Sequence, residues 1–358
     1  MMLLDEAQIL ALSGHRAEAW RFDVLDLADQ KIGELDGVTE GSFDYSTFAT
    51  IKSSGSLTCV APNVDWLRVR IQPWYTMTAL GQTVSWPLGV FIPASPGVDY
   101  SAPGGVQSLE LYDKLLILDQ DKTDGTYSVS AGSVVTDVVR GILRGIGETQ
   151  DAITDSAETL KSSMVWEADT SKLKIVNDLL DAINYFSLWA DGYGVFHGSP
   201  YVAPTGRGIA WEFADNTLAI YSPDFSLDAD TFNVPNKVIQ VSTSDGETPA
   251  LIAEARNEDP ASPYSYNNRG RWITRVETEV EATSQPILDS IAQRRLVELS
   301  AVTETYELEH AFIPLELNDA VRFVRDAEGI ETGAVVQKMT ISTAVGALVR
   351  TTLRGVSL

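Results

Sequence analysis

The amino-acid sequence predicts a mainly β protein with a mixed α/β segment in its middle. Short runs rich in Val, Ile, Phe, Tyr and Trp, separated by Gly, Asp, Asn and Pro, recur through the first third of the chain and return in its last third. Between them, apolar residues recur at the spacing of helical turns. A chain of 358 residues is long enough for two or three domains, and we place the boundaries after residues 118 and 235.

Residues 1–118 are predicted to form an N-terminal β domain. Proline fixes φ and lacks the N–H donor, so Pro87 and Pro93 in SWPLGVFIPASPG predict one short strand over 88–92 with a stop at each end. An edge strand of any β domain would show the same pattern. The strand-like runs are WRFDVLDL, KIGELDGVTEGSFDYS, ATIKSSGSLTCV, WLRVRIQPWYTM, PLGVFIP and QSLELYDKLLIL.

Residues 119–235 are predicted to form a mixed α/β domain. One apolar stripe predicts a helix with Ser133 as its N-cap, and a second predicts a helix capped by Thr170 or Ser171. Asp191 and Gly192 predict a hairpin turn between aromatic-rich flanks. The first stripe comprises Val134, Val135, Val138, Val139, Ile142, Leu143 and Ile146, and the second comprises Ile175, Val176, Leu179, Leu180, Ile183 and Phe186.

Residues 236–358 are predicted to form a C-terminal β domain with an inserted helix near 284–300. Strand patterns lie on both sides of this helix, in NKVIQVSTS and ITRVETEVEA before it and in YELEHAF, DAVRFVR, GAVVQKMTIST and LVRTTLRGVSL after it. Ser284 is placed to cap the helix, and Pro286 lies in the first turn, where a missing N–H removes no helical hydrogen bond.

The formal net charge of −24, from 26 basic and 50 acidic residues, limits the possible partners. Such a surface repels nucleic acid and anionic membranes, which argues against sequence-specific or adhesive DNA binding. Solubility alone would explain the charge. The more specific alternative is that a polyanion such as DNA has to move past this surface without binding to it. The start MMLLDEAQIL lacks the pattern of a signal peptide, and no window approaches the roughly 18 apolar residues of a membrane span.

No catalytic or metal-binding pattern rises above background. His15, His197 and His310 are isolated from one another, without HExxH or HxH spacing. The acidic run from Asp119 resembles a calcium loop, but its glycine falls one residue late and position twelve is Ser130. We therefore assign no catalytic, cofactor-binding or metal-binding residue and expect no enzymatic activity.

Two further features were considered as possible functional sites, the single cysteine and one more group of acidic residues. Cys59 shares one face of an alternating strand with Leu57, which favours a core thiol over a nucleophile, and a single cysteine permits no disulfide within the chain. Asp224, Asp228 and Asp230 could hold a cation, although carboxylates are abundant in this sequence.

Several stretches resemble the hub protein of bacteriophage tails, the ring at the tail tip. That family is related in fold to the central baseplate hub of contractile tails and to the N-terminal part of the tail-associated protein of long non-contractile tails. The resemblance covers most of the chain and implies two β-barrel-like domains flanking the α/β domain. It rests on PLGVFIPASP before SLELYDKL, SVSAGSVVTDVVRGILRGIG, KIVNDLLDAINYFSLWADGYGVF, TFNVPNKVIQV, NEDPASPYSYNNRGR and HAFIPLELNDAVRFV.

The resemblance implies a structural virion protein, a minor tail protein made in the host cytoplasm and located at the tail tip. It implies a homo-oligomer of three chains that encloses the DNA exit channel and serves DNA ejection. The implied partners are distal tail or tail tube proteins, the tape measure protein, and tail-tip or fibre proteins. DNA would be met only in passage, without membrane insertion, and carboxylates of both β domains are expected to face the channel.

A carbohydrate-binding or polysaccharide-cleaving β protein is the alternative from another class. Eight Trp and twelve Tyr could supply sugar platforms. Trp66 and Trp211 occupy alternating strand positions, which favours a place in the core over a place on a platform.

Overall fold

The structure is a computed structural model, and it is mainly β, with 45% of residues in strands and 16% in helices. This composition confirms the fold class predicted from the sequence. The residues it describes are 6–12, 14–100, 105–216, 219–228, 234–243, 249–300, 304–344 and 346–356.

The first part of the chain is built from strands, and the middle part combines helices with very short strands. The first part contains α1 (Glu6–Leu12), β1 (Ala17–Leu25), β2 (Lys31–Glu34), β3 (Val38–Ser46), β4 (Ser53–Val60), β5 (Arg70–Ala79), β6 (Gln82–Pro87), β7 (Phe91–Asp99) and β8 (Val106–Asp113). The middle contains α2 (Leu115–Gln120), β9 (Tyr127–Val129), α3 (Val135–Gly145), β10 (Asp151–Ile153), β11 (Met164–Trp166), α4 (Lys172–Asp181), β12 (Trp189–Ala190), β13 (Phe196–Gly198) and a 3-10 turn (Pro204–Gly206).

The last part returns to strands and carries the longest helix. Its elements are β14 (Ile209–Ala214), β15 (Tyr221–Asp228), β16 (Lys237–Ser242), β17 (Ile252–Arg256), α5 (Tyr266–Arg269), β18 (Thr274–Val280), α6 (Gln285–Ser300), β19 (Thr305–His310), β20 (Ala320–Arg325), β21 (Ile330–Ser342) and β22 (Val349–Val356). Within the described residues, every helix is too short or too polar to cross a membrane.

One large sheet joins the first and last parts of the chain. Its strand order is β15-β19-β22-β21-β3-β4-β8-β7-β5-β1-β2, with β6 on β5 and with β20 linking β21 to β14. The join is the antiparallel pairing of β21 with β3, and the described strands do not close into a barrel. One apolar cluster accordingly contains Phe43, Phe91 and Leu111 together with Tyr306, Phe323 and Leu353.

The middle part has an apolar core of its own. Helices α3 and α4 bury the faces predicted from their stripes, including Val139, Leu143 and Leu179. The Ser171 hydroxyl accepts a hydrogen bond from the Lys174 N–H, which confirms the predicted cap of α4. The predicted Ser133 cap is wrong, because α3 begins one residue later, with Val134 at the cap position and no side-chain cap bond.

A third apolar cluster forms where α6 covers a small sheet of β17, β16 and β18. Val238, Ala253 and Ala255 of the sheet pack against residues of α6, among them Leu288 and Leu296. This helix is the one predicted near 284–300, and Pro286 lies in its first turn as expected.

The predicted strand over 88–92 is wrong. Pro87 ends β6, whereas Pro93 lies inside β7, opposite Leu111 of β8. On the other side of β7, β5 pairs only through Ile71 and Phe91. A missing N–H therefore removes no ladder bond on that side, and proline is tolerated within this strand.

Candidate functional site

The three histidines lie at three separate places. His15 is exposed, and Nε2 of His197 lies 2.9 Å from a carboxylate oxygen of Asp191. His310 is fully buried, where Nδ1–H donates to a backbone carbonyl and Nε2 accepts from the Thr351 hydroxyl at 2.8 Å. Burial lowers the pKa of His310 to about 4. This histidine is a neutral core residue.

The other candidate chemistry forms no site in the described part of the chain. No group of three or more His, Cys, Asp or Glu side chains there is placed to hold a metal ion. Asp224 and Asp228 lie in β15, and Asp230 lies outside the described residues. Cys59 is fully buried, and burial raises the pKa of its thiol, as expected of a core cysteine.

Four buried charged side chains are linked by four ion pairs, and we call them the four-charge cluster: Asp29, Arg70, Lys114 and Glu148. Arg70 pairs with Asp29 and Glu148 at 2.6 Å each, and Lys114 pairs with the same two carboxylates at 2.6 Å each. All four side chains are at most 7% exposed. Burial alone would lower the pKa of Arg70, but the two carboxylates outweigh burial and raise it.

The four-charge cluster connects the first and middle parts of the chain. Asp29 lies between β1 and β2 and Arg70 begins β5, whereas Glu148 follows α3. Each cation bridges two carboxylates, so displacing one part relative to the other would leave buried charges without partners. That cost is large in a low-dielectric interior, and the cluster therefore fixes the relative placement of the two parts.

The turn between β12 and β13 lies against the same junction. Asp191 accepts hydrogen bonds from two N–H groups of the predicted hairpin turn, and the Gly194 carbonyl accepts one from Lys114 at 2.9 Å. A Cβ on Gly192 would lie 2.3 Å from the Pro87 carbonyl oxygen. Glycine is thus required where this turn meets the end of β6.

A cavity of about 500 Å³ opens where the main sheet, the middle part and α6 meet. We call it the junction cavity. Its wall combines aromatic rings with guanidinium groups, which include Phe186, Tyr201, Arg207, Arg294, Arg295 and Arg354. Guanidinium and aromatic groups of this kind bind ligands through charge and stacking.

Exposed apolar side chains gather at one end of β4, β7 and β8, and we call this group, Val60, Leu67, Val98 and Tyr100, the strand-end patch. Their exposed fractions run from 37% for Val98 to 90% for Leu67. Val60, Val98 and Tyr100 lie together, since β4 and β7 both pair with β8 at Val106 and the Cβ position of Gly105 lies near Val98 and Tyr100. Leu67 follows Trp66, whose indole N–H donates to Gln107 of β8 at 3.3 Å. Apolar surface of this kind marks interaction sites.

Sequence reasoning assigned no residue to the four-charge cluster or to the junction cavity. The members of the cluster lie 41 to 85 residues apart in its hydrogen-bonded pairs, so no local motif contains them. The one available signal was Lys114, a charged residue directly before the apolar run LLIL.

No family model and no curated protein matches this chain. Several solved structures match it in fold. The tail protein from Neisseria meningitidis MC58 matches with a TM-score of 0.66 at 13% identity, over 95% of this chain and 97% of that one.

Two prophage tail proteins have the same fold. The 43 kDa tail protein of prophage MuSo2 from Shewanella oneidensis has a TM-score of 0.62 at 11% identity, over 94% of this chain and 98% of that one. Prophage tail protein gp18 from Listeria monocytogenes has a TM-score of 0.58 at 14% identity, over 93% and 94%. The chain therefore has the fold of phage tail proteins, which confirms the sequence resemblance at the level of fold.

Proposed function

We propose that this chain is a structural protein of a phage-type tail and forms the hub ring at the tail tip. The observation that carries the proposal is the extent of the fold match, which spans 95% of this chain and 97% of a tail protein. The similarity thus concerns the whole molecule and not one module of it. In this role the chain joins the tail tube and tape measure protein to tip or fibre proteins.

The proposed ring contains three copies of the chain. The strand-end patch supports contacts between copies, because exposed apolar side chains such as Leu67 and Tyr100 gain most from burial in an interface. Closed rotational symmetry repeats the same contact in each copy and so limits assembly to a defined number of chains.

The net charge supports passage of DNA through the ring without binding. Each copy contributes −24, and binding of DNA would require clusters of Lys and Arg that displace counterions. We place carboxylates of the first and last parts of the chain at the channel face, with Lys and Arg depleted there.

We further propose that the chain has no enzymatic activity. The three histidines lie apart, and the described residues bring together no metal-binding group. Of the aromatic residues considered for the carbohydrate alternative, Trp66 and Trp211 pack against the apolar cluster of the main sheet, which favours a core role for these two.

Sedimentation or native mass spectrometry of the purified protein tests the ring. Three copies give a mass of about 117 kDa, three times the 39.0 kDa of one chain. A protein that stays at the mass of one chain at every concentration, alone and with its tail partners, contradicts the proposal.

A further inference from the structure

Arg354 has a side chain that is nine-tenths buried and has no hydrogen-bond or ion-pair partner among the described residues. It lies in β22, is 9% exposed, and lines the junction cavity. Its Nε–H is buried without an acceptor. Burial lowers the pKa of Arg354, yet an arginine in a protein stays charged. A buried charge without a partner costs free energy, and a bound anion would remove that cost.

Other groups with unused hydrogen-bonding capacity surround the same space. The Tyr201 hydroxyl and Arg294 Nε are also buried without a hydrogen-bond partner. Burial is the largest influence on the pKa of the Tyr201 hydroxyl and raises it, and the Glu298 carboxylate raises it further. Three arginines lie close enough to lower it, namely Arg207, Arg354 and Arg294. Unused donors of different elements thus converge on one part of the cavity.

The carboxylates of the cavity are already engaged elsewhere. Glu298 receives a hydrogen bond from Arg295 at 2.8 Å and lies 3.6 Å from Arg294 Nε, and Asp181 pairs with Arg294. Neither forms an ion pair with Arg354. Arg354 therefore has no carboxylate in direct contact among the described residues, and Glu298 acts on its pKa only from a distance. Arg207 has no ion pair there either, but it donates to the backbone carbonyls of Val202 and Asn318.

The donors are held in place by aromatic rings. The Arg207 guanidinium lies 5.1 Å from the Phe186 ring centre and 5.7 Å from that of Tyr201, and Arg294 lies 5.6 Å from Tyr201. Arg207 also donates to the carbonyl of Asn318 at 2.7 Å. Groups fixed in this way lose little conformational freedom when a ligand binds.

The rest of the wall is apolar, and includes Trp86, Phe312, Leu315, Met339 and Ile341. A cavity of about 500 Å³ lies within the usual range for ligand sites, which combine an apolar lining with a few polar groups that orient the ligand. The arrangement suits a ligand with an anionic end and an apolar body.

We propose that the junction cavity is a binding site for a carboxylate carried on an aromatic or aliphatic body, with Arg354 as the residue that pairs with the carboxylate. The planar guanidinium matches a carboxylate in bidentate geometry. Such a carboxylate can belong to a free ligand or to a peptide of a partner protein. Both would present the same carboxylate and apolar group to the cavity. This inference holds independently of the ring.

Isothermal titration calorimetry with the full chain tests the site. N-acetylphenylalanine is expected to bind, whereas its methyl ester, which lacks the charge, and acetate, which lacks the apolar body, are expected to bind much more weakly. The peptide acetyl-Phe-Glu-Phe-amide carries a carboxylate only on a side chain. Tighter binding of this peptide assigns the site to a peptide side chain, and tighter binding of N-acetylphenylalanine assigns it to a free or terminal carboxylate.

Arg354→Met should weaken binding of the tighter probe on the order of tenfold to a hundredfold, the effect of losing a charged hydrogen-bonded pair. The same substitution should raise the thermal midpoint of the free protein, because it removes an unpaired buried charge. Arg354→Lys keeps the charge and should bind with intermediate affinity. The matched control is Arg350→Met, in the same strand, where the arginine is exposed and pairs with Glu309.

Binding that is unchanged by Arg354→Met overturns the proposal. So does equal binding of N-acetylphenylalanine and its methyl ester, or the absence of binding by both carboxylate probes.

Discussion

The ammonium group of Lys114, which is fully buried, lies 2.6 Å from a carboxylate oxygen of Glu148. The two residues lie on different parts of the chain, one directly after β8 and the other after α3. Their contact completes the four-charge cluster, so each cation has two anionic partners. The junction between the first and middle parts thus depends on charge pairing as well as on apolar packing.

Lys114→Met should destabilise the protein by about 3–5 kcal/mol, because it leaves two buried carboxylates with Arg70 as their only cation in the cluster. Chemical denaturation measures the loss. The control is Lys174→Met, which removes an exposed pair with Asp178 and should cost less than about 1 kcal/mol. Equal effects of the two substitutions would refute a structural role for the cluster.

The Ser171 and Ser133 hydroxyls should differ in their effect on stability. Ser171→Ala removes the cap bond of α4 and should cost about 1 kcal/mol. Ser133→Ala removes no cap bond, since α3 has none, and should change stability by less than about 0.5 kcal/mol. Thermal or urea unfolding of both variants checks this, and a larger loss for Ser133→Ala than for Ser171→Ala would show that Ser133 caps α3 after all.

The free energy of unfolding should decrease as the pH is lowered, because the imidazole of His310 is buried. Its pKa is about 4 in the folded protein against 6.5 as a free side chain, so the unfolded state takes up the proton first. The contribution is complete above pH 6.5 and is lost between pH 6.5 and 4, by an amount on the order of 3 kcal/mol. The carboxyl of Asp113, whose pKa burial raises to about 6, acts in the opposite direction in this range.

Asp113 is present in both the wild type and His310→Gln, so the difference in their stabilities reports on His310 alone. Urea unfolding of both proteins across pH 4–7 should show a stability difference that shrinks as the pH falls. His15→Gln, a change at an exposed histidine, serves as the control. A difference that is constant with pH would mean that His310 does not contribute in this way.

If the strand-end patch forms the contact between copies in the proposed ring, Leu67→Glu should shift the protein toward single chains, because burying a carboxylate in an apolar interface is unfavourable. Native mass spectrometry measures the shift, and circular dichroism should show an unchanged fold. Val165→Glu is the control, since Val165 is 63% exposed and lies in β11, which pairs with β9 and belongs to a different sheet from β4, β7 and β8. An effect of Val165→Glu as large as that of Leu67→Glu would rule out the patch as the interface.

The sequence predicts what local patterns determine. The stripes of α3 and α4, the Ser171 cap and the turn at Asp191 all follow from spacing and residue type, and the structure has each of them. The position of Pro93 inside β7 does not follow, because it depends on which side of the strand has a partner.

Long-range contacts lie beyond such patterns. The pairing of β21 with β3 brings Thr340 beside Asp44, 296 residues away, and nothing in either segment specifies the other. The burial of Arg354 cannot be predicted either, because the residue lies in a strand-like segment and differs from exposed arginines only in its three-dimensional surroundings. Buried charge in a folded chain is therefore a property of tertiary structure that one sequence does not reveal.

Electron microscopy of assembled tails, with gold-labelled antibody against this chain, is the most direct test of the proposed role. The account predicts label at the tail tip alone, on every particle, and a ring of three copies when the tip is averaged. Label along the tube, label on the capsid, or tails that form completely without the chain would contradict it.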